Sequence, residues 1–71
     1  MKYYLTKTGT HLDVWQEDGN DSLFALYVQC LNGKCLYSTG ERVEYIDISP
    51  WIVYESNDLE DLIEAAALLA L

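Results

Sequence analysis

The sequence predicts an α+β fold: an antiparallel sheet of about four to five strands packed against one C-terminal α-helix, in a single domain over residues 1–71. Three observations carry this. Gly9, Gly19, Gly33 and Gly40 divide the first two thirds of the chain into short segments rich in β-branched and aromatic residues. An Asn32-Gly33 dipeptide separates two of those segments in the manner of a tight hairpin. The chain then runs into apolar residues repeating at helical spacing.

The first strand is expected over 2–6 and the second over 11–16, where Leu12, Val14 and Gln16 alternate with His11, Asp13 and Trp15. Glu17-Asp18-Gly19-Asn20-Asp21 reads as a turn or loop. A third strand is expected over 23–31 and a fourth over 34–38. Asn32-Gly33 between them suits a type I′ turn, because both central positions take positive φ. That turn sets Leu31 opposite Lys34, Cys30 opposite Cys35, Gln29 opposite Leu36 and Val28 opposite Tyr37. Simple alternation then puts Phe24, Leu26, Val28, Cys30, Cys35 and Tyr37 on one face, the core candidate. A fifth strand is expected over 42–48 until Ser49-Pro50 breaks it, with 51–54 extending the sheet or bending away. The helix is expected over 58–70, opened by an Asn57…Glu60 capping pattern. Its apolar stripe is Leu59, Leu62, Ile63, Ala66, Leu69 and Ala70, with Leu68 off the stripe and Glu60, Asp61 and Glu64 opposite.

Charge bounds the function. Twelve acidic residues against four basic ones give a net charge of −8. Residues 1–40 contribute −1 and residues 41–71 contribute −7, Arg42 being the one base in the latter. Such a field repels nucleic acid and anionic membranes and attracts cationic surfaces. Direct nucleic-acid binding and membrane binding are therefore not expected. The run Ala65–Leu71 is too short to span a bilayer. The first residues lack the pattern of a signal peptide, so the expected compartment is the cytoplasm.

Catalytic chemistry finds little support. Cys30 and Cys35 face each other across the hairpin, close enough for a disulfide, but the cytoplasmic expectation makes them reduced thiols. Their spacing is not C-x-x-C and no second pair completes a zinc site. His11 is the sole histidine and nothing in the spacing brings it to a cysteine. The Glu17–Asn20 loop lacks the repeated acids and terminal Glu of a calcium loop. No enzyme activity, cofactor or metal is expected. Trp15, Trp51 and the tyrosines suit sheet packing. Trp51, beside Pro50 and just before Glu55 and Asp58, is the candidate exposed anchor.

The length, the charge, the acidic stretch Glu55-Ser56-Asn57-Asp58-Leu59-Glu60-Asp61-Leu62-Ile63-Glu64 and the sheet-plus-helix plan together resemble small acidic phage-encoded inhibitors, the anti-CRISPR proteins and other DNA mimics. The resemblance is one of class, without a shared motif. It implies an inhibitor that blocks a basic nucleic-acid-binding protein, such as a CRISPR effector, in the cytoplasm of a host cell. A rigid row of carboxylates would occupy a groove lined with Lys and Arg and exclude the nucleic acid. The expected contact set is Glu55, Asp58, Glu60, Asp61 and Glu64, extended by Glu41, Glu44, Asp47 and Trp51. Two alternatives share part of this reading. One is an immunity or antitoxin-like protein that neutralises a basic toxin or nuclease. The other is an assembly module in which the apolar C-terminal helix forms a homodimer.

Overall fold

The computed structural model describes residues 1–20, 22–31, 34–37 and 40–69. The fold is α+β, as predicted. Strands β1 (Tyr3–Thr8), β2 (His11–Asn20), β3 (Leu23–Leu31), β4 (Lys34–Tyr37), β5 (Arg42–Glu44) and β6 (Ile52–Ser56) form one antiparallel sheet. Its order is β4-β3-β2-β1-β6, and β5 sits on the same edge of β3 as β4, further along that strand. Helix α1 (Tyr45–Ile48) and a 3-10 turn (Ser49–Trp51) carry the chain from β5 to β6, and helix α2 (Leu59–Leu69) follows.

Both faces of the sheet are covered. Successive residues of a strand point to opposite faces. Leu5 and Val14 accordingly join Leu12, Val28, Cys30, Leu62 and Ala66 in a core under α2. Their neighbours Tyr4 and Trp15 join Phe24, Leu26 and Ile48 in a second core under α1. The aromatic part of the second core is tightly arranged: the Tyr4 ring meets Phe24 edge-on at 5.0 Å, and Tyr45 of α1 lies 5.3 Å from Phe24.

The expected single apolar face of β3 is corrected by a bulge. Val14 pairs with Val28 but Trp15 pairs with Leu26, so Tyr27 is an extra residue in β3. Side-chain parity flips there. Phe24 and Leu26 serve the α1 core, while Val28 and Cys30 serve the α2 core. Strict alternation could not see this, because one inserted residue exchanges the faces of everything beyond it.

Several boundaries move. β1 begins and ends later than expected, and β2 runs through the expected loop to Asn20, with Gly19 at φ +70° in an irregular stretch against β3. The predicted hairpin register holds at all four pairs, while the Asn32-Gly33 turn itself lies outside the described residues. The strand expected over 42–48 stops at Glu44. The backbone N–H of Glu44 donates to the Asp47 carboxylate at 3.3 Å, which favours a helical turn, and Ser49-Pro50 continues it as a 3-10 turn. Isoleucines spaced as in a strand (Ile46, Ile48) deceive here: Ile48 is buried and Ile46 is 70% exposed, as a turn of helix requires.

The cap of α2 is Asp58, in place of the expected Asn57. The Glu60 N–H donates to Asp58 Oδ1 at 3.0 Å. Leu62 and Ala66 are the buried part of the expected stripe, Leu59 and Ile63 are half-buried, and Leu69 is exposed. Ala70 lies outside the described residues. The reduced-thiol expectation is also overturned: Cys30 and Cys35 form a disulfide. Their Cα atoms are 4.0 Å apart, the close approach of a pair between ladder hydrogen bonds.

Candidate functional site: an acidic surface at β6 and α2

The negative surplus begins with unequal pairing. Arg42, the one base after residue 40, pairs with Asp18 of β2 at 3.1 Å. Lys2 pairs with Glu55 of β6 at 3.1 Å, and that carboxylate raises the lysine's pKa. The remaining acids of the second half, Glu41, Glu44, Asp47, Asp58, Glu60, Asp61 and Glu64, have no ion-pair partner among the described residues. All are exposed.

The fold separates the expected contact residues into two groups. Glu44 and Asp47 bracket the first turn of α1 on one side of the sheet, and Glu41 precedes β5 on the outer edge. Glu60, Asp61 and Glu64 lie on the outward side of α2, across the sheet from α1. Glu55 is on β6, where α2 begins. Trp51 is 51% exposed at the end of the 3-10 turn, which makes it accessible as expected. The expected set therefore does not merge into one patch. The coherent part is Glu55, Asp58, Glu60, Asp61 and Glu64.

Within that part the carboxylates differ. Asp58 caps α2 and its own N–H donates to Ser56 Oγ at 3.1 Å. The Ser56 hydroxyl in turn donates to Asp61 Oδ2 at 3.0 Å. These bonds hold Asp58 and Asp61 in fixed positions around the helix start. Glu60 and Glu64 stand one turn apart on the solvent side, where like charges repel by about 0.2–0.5 kcal/mol. Acids in the first turn are favoured by the positive end of the helix dipole. The dipole offsets part of the repulsion at Glu60 and Asp61.

The remaining titratable cluster is on the α1 side of the sheet. Asp13 and Gln29 are cross-strand partners, and His11 sits two residues before Asp13 on the same face. His11 Nε2 lies 3.1 Å from Asp13 Oδ1 and 3.0 Å from Gln29 Nε2. Burial raises the Asp13 pKa, His11 opposes the rise, and Glu41 adds to it. A shallow open cleft of about 400 Å³ lined by Gln29, Leu31, Lys34 and Leu36 adjoins this cluster. Cys30 packs under α2, on the opposite face from His11, and its sulfur is bonded to Cys35. A Cys–His pair is thus absent among the described residues. These residues also contain no group of three or more His, Cys, Asp or Glu placed to hold a metal ion. Among them no helix is long and apolar enough to cross a membrane.

The sequence missed the Asp13–His11–Gln29 cluster. Alternation placed His11 and Asp13 on one face, and only the β2–β3 register brings Gln29 to them. Compared with known proteins, the chain matches no family model, no curated relative and no solved structure.

Proposed function

We propose that this chain is a non-catalytic acidic inhibitor, which binds a cationic groove of a nucleic-acid-binding protein through the β6–α2 surface and excludes the nucleic acid from it. One observation supports this above others. Asp58, Glu60, Asp61 and Glu64 are exposed along the cap and first two turns of α2, with no ion-pair partner among the described residues. Cationic grooves that hold phosphates are complementary to such a surface, and charge complementarity raises association rates in a salt-sensitive way. Glu44 and Asp47 add long-range attraction from the other side of the sheet, and Glu41 from its outer edge, without joining the contact.

The test uses Glu60→Lys combined with Glu64→Lys. Neither side chain makes an internal hydrogen bond or ion pair among the described residues, so the fold is retained. The immobilised wild-type chain should capture a basic protein from lysate of its own source at low salt and release it at high salt. The purified wild-type chain should then displace duplex DNA or RNA from that protein at equimolar ratio. The double variant should do neither. Equal capture by wild type and variant, or capture without displacement, would end this reading.

A second reading, a homodimer through the end of α2, is favoured by Leu68, which is 71% exposed. Light scattering on the wild-type chain and on Leu68→Glu checks it. A monomeric wild type removes it.

A further inference from the structure

We propose that the Cys30–Cys35 disulfide is a redox latch that holds β4 on the sheet, so that exposure to small-molecule thiols releases this strand while the rest of the fold stays closed. The inference is independent of the acidic surface, which lies toward the opposite edge of the sheet.

The case rests on how little else holds β4. The strand has four residues, all exposed, and among the described residues its pairing is with β3 alone. Leu36 and Tyr37 are 72% and 69% exposed, so their burial contributes little. The edge-on contact of Tyr37 with Tyr27 at 5.8 Å is its aromatic anchor. Strand β5, on the same edge of β3, is differently secured. Arg42 pairs with Asp18, the Leu26 N–H donates to the Glu41 carbonyl, and the Tyr45 N–H donates to the Ser22 carbonyl. A short strand paired on one side is marginal by itself.

The two cysteines are exposed unequally. Cys30 is 1% exposed and packed with Leu62 and Ala66 of α2, whereas Cys35 is exposed. A small thiolate therefore attacks Cys35 Sγ. The bond to Cys30 breaks, the Cys30 sulfur leaves with the electron pair and takes a proton from water, and a mixed disulfide remains on Cys35. A second small thiol attacks that mixed disulfide, releases Cys35 as a thiol and departs as the oxidised small-molecule disulfide. Cys30 then remains as a small apolar side chain in the α2 core. Release of β4 uncovers the backbone groups of β3 from Val28 to Leu31.

Hydrogen exchange on the whole chain tests this. Cys30 and Cys35 are a close pair, so the flanking pairs Gln29–Leu36 and Leu31–Lys34 carry the ladder hydrogen bonds. After dithiothreitol, the Gln29 and Leu36 amides should exchange about tenfold faster or more, while those of β1 and α2 keep their rates. Cys35→Ser should show the same pattern without reductant. Protein exposed to oxidised glutathione should contain no alkylatable thiol. Three results would each overturn the latch: unchanged exchange at Leu36 after reduction, acceleration spread equally to α2, or two free thiols persisting under oxidised glutathione.

Discussion

Trp15 Nε1 donates a buried hydrogen bond to Thr6 Oγ1 at 2.9 Å, joining β2 to β1 inside the α1-side core. The indole N–H needs a partner when buried. Thr6 is 4% exposed, so it supplies one where water has little access. Thr6→Val keeps the shape and removes the acceptor. It should destabilise the fold by about 1–3 kcal/mol, read by urea unfolding, with a shift in Trp15 fluorescence in the folded state. Unchanged stability would mean that the indole finds another acceptor.

The α2 core makes a contrasting pair of predictions. Leu62 is fully buried against Leu5, Leu12 and Val14. Leu62→Ala should cost about 2–5 kcal/mol, because the cavity cannot collapse fully against two strands. Leu68 is largely exposed, so Leu68→Ala should stay within about 0.5 kcal/mol of wild type in a monomer. Thermal unfolding of both variants at one protein concentration checks the difference.

Asp13 should make stability depend on pH in the direction opposite to an ion-paired carboxylate. Its folded pKa is raised, chiefly by burial. Between the ordinary aspartate pKa and that raised value, the folded state binds more protons than the unfolded state. Stability therefore falls as pH rises through this window, and the full cost is present above it. Asp13→Asn should be more stable than wild type at neutral pH, and the gap should close as pH drops through the window. A carboxyl NMR titration of Asp13 should give a midpoint above the ordinary aspartate value. A gap that widens on acidification would show that the His11 contact outweighs burial.

Asp58 has a structural duty that its acidity conceals. Its carboxylate accepts from the Glu60 N–H, so Asp58→Ala should cost about 1 kcal/mol, with a loss of helical signal from α2. Glu60→Ala should change stability by a few tenths at most, since its side chain relieves repulsion with Glu64 when removed. Urea unfolding followed by circular dichroism separates the two. For this reason charge reversal at Asp58 cannot by itself test partner binding.

How much was legible in the chain follows from how local each signal is. The β3–β4 register was readable, because a two-residue turn fixes pairing at short range. The buried Leu62 and Ala66 and the exposed Leu68 were readable for the same reason, a period of 3.6 residues within one helix. The helical turn at Tyr45–Ile48 was not, because four residues are too few to establish a period against the β-branched isoleucines. The acidic set was legible as composition but not as a surface.

The sequence by itself determined the fold class, the hairpin register, the amphipathic helix and the excess of negative charge after residue 40. Each depends on residues near one another in the chain or on simple counting. Tertiary structure alone decided the rest. The bulge at Tyr27 divided the apolar residues of β3 between two cores, and the α1 crossover set Glu44 and Asp47 across the sheet from Glu60 and Glu64. Pairing between β2 and β3 brought Gln29 to Asp13 and His11. Side-chain direction in a sheet depends on every residue inserted before it, so a single bulge changes what an entire strand faces.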